Sequence, residues 1–382
     1  MPWTVSVELH SKRMSARGVL PVLALFLIVL TACSSAVSTP SNSPAASPAN
    51  STSPALATII DAARKEGELD LVWGEGSLGG TQGAAELAAA FNAQYGLNTK
   101  VQFTPGPTDV EMASKLVQEY QTQRKATTDV YHGSATPIMP LIQAQALEEV
   151  DWASWAPNVK AESLAPKGAA VSVQTELPGI LYNSSKLSST QAPHSMQDLL
   201  KPEFKGRVAS TPYASGFDGM AGAWGEQRTL DYVKAFSPQL AGLIRCTESS
   251  RVLSGEFDVL AFDCNQSNGL EAKEQGKALG FTIPSDIRVV YDLYLAVPKN
   301  AAHPNLAKLW INFVMSQQGQ SIIYKHDFMD SAAVPGSKTA ELENSMQSSA
   351  PVTRVDVAFY QQHDEKALQA TVKQVVDLLQ KK

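Results

Sequence analysis

Gly74, Gly76 and Gly79 form a G-x-G-x-x-G between a strand-forming run, Glu68–Trp73, and a helical stretch over residues 81–95. That spacing can cradle a pyrophosphate, because glycines let the backbone approach and a helix N-terminus supplies free N–H groups. A dinucleotide site also needs an acidic residue after the next strand to hold a ribose hydroxyl. Residues 103–108 read Phe-Thr-Pro-Gly-Pro-Thr and offer none, and Asp109 is committed to the capping box Thr108-Asp-Val-Glu111. A P-loop fails as well, since Gly80 stands where lysine is required. The glycine loop therefore predicts close approach to some other ligand, and no cofactor is expected.

Other residue types in the chain admit nucleophilic and metal chemistry. Ser77, Ser134 and Ser215 fall in loops, and His132 could serve one of them as a base. None sits in a G-x-S-x-G elbow. An exported hydrolase is thus a minor alternative, and no catalytic residue is expected. Asp263, Glu75, His132, Tyr131 and Tyr291 could together make an oxygen-rich site for a hard cation. Cys246 and Cys264 are an even pair, for which a disulfide is the expected state and two buried thiols the alternative.

The ends of the chain set the compartment. Lys12, Arg13 and Arg17 precede an apolar run over 19–30 and then Leu30-Thr-Ala-Cys33. This pattern predicts a lipoprotein signal peptide over 1–32, with Cys33 the lipidated first residue of the mature chain. The run is too short to span a bilayer. Residues 33–54 hold eight serines, four prolines and no charge, and read as a disordered tether. Removing 1–32 takes away three basic residues and one acidic, so the formal charge falls from −6 to −8. A mildly acidic chain without a basic cluster argues against nucleic acid.

From residue 55 onward, β-rich runs alternate with amphipathic helices, which predicts an α/β fold with parallel sheets. The first unit reads helix, strand, glycine loop, helix, strand 100–103, helix, strand 128–131. The pattern restarts at strand 206–209 and runs through helix 220–236 and strands 243–246, 257–262 and 278–283. Two extended crossovers, 170–182 and 288–297, join the units. The tail reads as helices over 304–315, 318–325 and 355–379, with no further sheet, packing back on the first unit. The domains expected are a first lobe of 55–174 and 293–382 and a second lobe of 175–292.

Several segments, in register, carry a resemblance. "AARKEGELDLVW", "LPGILYNSSKL", "SMQDLLKPEFKGRVA", "SGEFDVLAF" and "YDLYLAVPKNAAHPNLAKLWINFVMSQQGQ" are similar to stretches of the type 2 periplasmic solute-binding proteins of ABC importers. The resemblance is to the branch with ferric-ion, sulfate, polyamine and phosphonate binders. It implies two doubly wound α/β lobes closing on a solute, with an ABC permease as partner, and a lipid-anchored extracytoplasmic monomer. Ligands bind outside the carboxyl ends of strands in such sheets. The expected contacts are Glu75, Gly76, Ser77, His132, Gly133 and Ser134 on the first lobe. Thr175 and Glu176 are expected from the first crossover, and Ser215, Gly216, Phe217, Asp263 and Asn265 from the second lobe. Tyr291 is expected from the second crossover. Their small polar character suits an anionic solute. Ferric members use adjacent tyrosines just after the strand that matches 257–262, where this chain reads Phe262-Asp-Cys-Asn-Gln. Iron is therefore the alternative solute, no metal is assigned, and a ligand sensor on the same scaffold is a further alternative.

Overall fold

The computed structural model describes residues 53–345 and 350–381. The expected signal peptide, Cys33 and all of the tether except Ser53 and Pro54 lie outside the described residues. The first elements are α1 (Pro54–Glu66), β1 (Glu68–Trp73), α2 (Gly80–Tyr95), β2 (Lys100–Pro105), α3 (Asp109–Gln121), β3 (Tyr131–Ser134) and α4 (Ala135–Gln143). Two strands, β4 (Val171–Glu176) and β5 (Gly179–Asn183), carry the chain onward to β6 (Val208–Ser210), α5 (Phe217–Trp224) and α6 (Glu226–Phe236). Then follow β7 (Leu240–Leu243), α7 (Ser250–Leu253), β8 (Val259–Asp263), α8 (Ser267–Glu274), β9 (Leu279–Thr282) and β10 (Arg288–Ala296). The chain ends with α9 (Pro304–Val314), α10 (Gln317–Asp327), α11 (Lys338–Ser345), β11 (Val352–Val355), α12 (Val357–Gln362) and α13 (Glu365–Gln380).

Local chemistry explains the opening. Ser53 caps α1 by accepting from the Leu56 N–H, Pro54 sits in the first turn, and Gly67 closes the helix in the left-handed region. Along β1 the burial alternates, so Leu69, Leu71 and Trp73 enter a core with Phe91, Trp310 and Phe313. Trp73 is thereby a core residue, its indole N–H donating to the Val130 carbonyl at 2.6 Å. A second core runs from Ile138 through Phe217 and Phe236 to Leu368 and Val375.

One sheet has the order β7-β6-β8-β5-β9, with β6 parallel to both β7 and β8, and β5 antiparallel to β8 and β9. A second is built on β10, which pairs with β11 over Arg288–Tyr291, with β3 over Leu293–Ala296, and with β4. β1 and β2 form a parallel pair.

Four expectations need correction. The strand expected at 128–131 lies three residues later, as β3, and runs antiparallel to β10. Thr128 and Asp129 instead bind β1, with the Asp129 N–H donating to the Asp70 carbonyl at 2.8 Å. The single helix expected over 220–236 is broken at Gly225, whose φ of 84° no helix tolerates. The strand expected at 243–246 lies earlier, as β7, and Cys246 opens a short 3-10 turn. The tail differs most, because it contains β11 and its last helix stops and restarts at Asp364. While α9 packs on α1 and α10 on α2, α13 packs on α5 and α6.

Candidate functional site

Ser134, Glu176, Ser215, Gly216 and Tyr291, expected from strand-end loops and crossovers, meet around one cavity of ≈ 450 Å³. They come from four parts of the chain: β3, the end of β4, the loop before α5, which gives both Ser215 and Gly216, and β10. Ala135, Thr136, Tyr213, Ala214, Asp218, Cys264 and residues of the tail complete the lining.

Two helix N-termini open on this space. α4 starts after Ser134, whose hydroxyl donates to Asp109 Oδ2 at 3.1 Å and does not cap the helix. α5 starts after Gly216, which has φ 81° and no side chain to cap with. A Cβ at Gly216 would stand 2.8 Å from the Phe262 ring, so the cap must be glycine. First-turn N–H groups have no partner within a helix, and here neither N-cap side chain takes their place; on α5 the Tyr291 hydroxyl accepts from the Gly219 N–H. Both positive dipole ends face the cavity, which favours an acidic group there.

The remaining polar side chains are acids, hydroxyls and the Gln369 amide, and the lining contains no lysine or arginine. Glu176 accepts from Asn265 Nδ2 at 3.2 Å. Burial, reinforced by Asp327, Asp109 and Asp292, pushes its carboxyl up to about 7. Asp218 is held on both oxygens: the Tyr291 hydroxyl donates to Oδ1, and the Tyr360 hydroxyl to Oδ2 at 3.2 Å. Burial, and then the Asp218 charge, raise both tyrosines far above their ordinary range and keep them protonated.

Cys246 and Cys264 are bridged, with Cα atoms 5.9 Å apart. Cys264 lines the cavity, and the Cys246 N–H donates to the Tyr213 hydroxyl at 3.1 Å. The bridge thus holds the rim. Beneath it, Asp263 accepts from Asn268 Nδ2 and from the Cys264 N–H, and burial pushes it up to about 7. Asn265 acts through Glu176. Thr175 is buried, accepting from the Ala332 N–H at 3.1 Å, and Phe217 packs edge-on against Phe262.

The structure does not bring the glycine loop to this cavity. Glu75, Gly76 and Ser77 are not among its lining residues. Leu78, at φ 51°, is fully buried as a wedge, and a Cβ on Gly80 would meet the Glu75 carbonyl at 2.6 Å. These glycines serve the turn itself. His132 lies under the Trp73 ring, 5.5 Å away, and burial drops its pKa to about 4. Gly133 makes room for the Tyr131 hydroxyl.

Among the described residues, one group has spacing suited to a metal: Asp70, Asp129 and His303. Asp129 is already occupied, accepting from the N–H groups of Asp70, Ala302 and His303 and facing His303 Nδ1 at 2.7 Å. It staples β1 to the start of α9.

Sequence reading missed Asp218, Tyr213, Tyr360, Leu368, Gln369 and Val372. The first two adjoin Ser215 and were one loop away from discovery. The tail residues carried no signal beyond helical periodicity.

A cavity of this size with two helix N-termini, two carboxylates and an apolar flank suits a small-molecule ligand. Comparison with known proteins agrees. Residues 133–363 match the family described as bacterial extracellular solute-binding protein. A Fe(3+)-binding periplasmic protein of Serratia marcescens is 26% identical over 240 residues, covering 60% of this chain and 70% of its own. Iron-bound HitA of Pseudomonas aeruginosa superposes with a TM-score of 0.62 at 20% identity, over 81% of this chain and 99% of its own. AfuA of Actinobacillus pleuropneumoniae, with fructose-6-phosphate bound, gives 0.59 at 18% identity, over 82% and 99%. The chain belongs to the bacterial extracellular solute-binding proteins, α/β receptors that pass a small molecule to an ABC permease and catalyse nothing.

Proposed function

We propose that this receptor captures a small anionic solute, held by its acidic group on the N-termini of α4 and α5. The observation that carries the reading is that two uncapped helix starts open on one cavity. Glu176 and Asp218 then face the rest of the solute and accept from its hydroxyl or amino groups. Closure of two lobes about the crossovers β4–β5 and β10 buries the solute. Cys33 carries the lipid that holds the receptor near its permease, and the receptor acts as a monomer.

Thermal unfolding of the purified protein with a panel of organic and inorganic anions, with and without chelator, tests this. A solute at 100 times its dissociation constant adds about 2.7 kcal/mol of stability. A shift that survives chelator supports the anion, and no shift with any anion removes it.

One observation favours iron as a second reading. Tyr291, Tyr360 and Asp218 bring three hard oxygen donors together, and the Serratia relative is named for Fe(3+). Ferric binding would displace both hydroxyl protons and give a visible tyrosinate absorption. A shift with ferric salts alone, abolished by chelator and accompanied by colour, would establish it over the anion.

A further inference from the structure

We infer that the carboxy-terminal arm, β11 to α13, is the selectivity wall of the cavity, and that the solute is an organic acid with an apolar portion. This rests on the reading that the cavity binds an anion. The arm lies beyond or at the end of the stretch that matches the family, 133–363, yet it supplies Val355, Tyr360, Leu368, Gln369 and Val372 to the lining.

The arm is fastened along its length. β11 pairs with β10 in the register Arg288↔Val352 to Tyr291↔Val355, which sets Val355 beside Tyr291 at the cavity. Arg354 grips both oxygens of buried Asp292 at 2.7 and 2.9 Å. Asp356 caps α12 through the Phe359 N–H. The Phe359 ring then fills the notch at Gly222, where a Cβ would lie 2.4 Å from it. On α13, Thr371 donates to Glu226 and Ser237 reaches back to the Leu378 carbonyl at 2.7 Å. A wall so held is part of the binding geometry.

Its chemistry differs from that of the helix N-termini. Leu368 and Val372 stand one turn apart on α13, so they present one apolar strip to the cavity. A bare tetrahedral oxyanion would satisfy α4 and α5 and leave the exposed part of that strip, chiefly on half-buried Val372, facing water. A solute with a hydrocarbon or aromatic part covers it, and removing that surface from water adds affinity.

Titration calorimetry with phenylphosphonate, benzoate, inorganic phosphate and sulfate tests the inference. In the unaltered protein the organic acids should bind at least tenfold more tightly than the inorganic ions. Leu368→Trp fills the strip and should weaken phenylphosphonate at least tenfold while leaving phosphate within twofold. Should Leu368→Trp lose its cooperative unfolding transition, Val372→Ala at the half-buried neighbour serves instead, with a several-fold loss for phenylphosphonate alone. Equal affinity for phosphate and phenylphosphonate, or a variant that weakens both alike, overturns the inference and keeps the anion. Failure of all four to bind overturns the anion reading and the inference with it.

Discussion

Glu176 and Asp218 carry the same functional group into the same cavity and are held differently. Asp218 sits in the first turn of α5 and accepts from two tyrosine hydroxyls, one on each oxygen. Glu176 has one amide donor and several carboxylates nearby, so its charge is disfavoured. With a folded-state pKa near 7 against an ordinary 4.5, the folded protein keeps a proton that the unfolded chain releases. Its contribution to stability is therefore complete below about pH 4.5 and is lost as pH rises toward 7. Urea denaturation across pH 4–8 should show that decline, shallower in Glu176→Gln; a residual slope from Asp263, raised for the same reason, should persist. Anion affinity should also fall through pH 7 in the unaltered protein and stay flatter in Glu176→Gln. Ser215 and Gly216 were legible because a strand, a small-residue turn and a helix follow one another in the sequence. Asp218 was not, since an acid in a first helical turn has an ordinary reason to be there.

At the scale of elements, the close approach of α5 to β10 positions much of the site. Gly219 permits it: a Cβ there would stand 2.2 Å from Val289 Cγ1, on a branched side chain that is stiff at χ1. Gly219→Ala should cost about 2 kcal/mol despite the better helix propensity of alanine, read as a lower urea midpoint with unchanged slope. Helices α1, α3 and α9 were readable from caps and periodicity, and the Thr108–Glu111 capping box is present. The break at Gly225 and the division of the tail at Asp364 were not. Both segments keep helical periodicity across the break, and what divides them is local: the positive φ of Gly225 and the Asp364 side chain that caps the restarted helix. β11 was hidden for a related reason: four residues paired along one edge leave little alternation to detect.

For the whole molecule, the Cys246–Cys264 bridge is a covalent tie at the rim of the cavity. It closes a loop with a sequence separation of 18, for which the chain-entropy account gives about 3 kcal/mol. The double Cys→Ser variant should lose about that much in urea denaturation, and a reductant should lower the melting temperature of the unaltered protein but not of the variant. The α/β class and the family were legible because alternating strands and helices persist over nearly 300 residues. The side of the fold on which the tail lands was not, because an amphipathic helix declares its apolar face and not the partner that covers it.

α13 follows every other element that lines the cavity, and this order matters for biogenesis. Polypeptides are made and exported from the amino end, so both sheets and the two helix N-termini emerge before the residues that wall them in. Until Leu368 and Val372 arrive, the pocket has an open flank, and the nascent receptor should have little hold on solute in the compartment where it is made. Capture becomes effective after the rest of the fold is in place, which on the proposed route is outside the cell, where the solute to be imported is found.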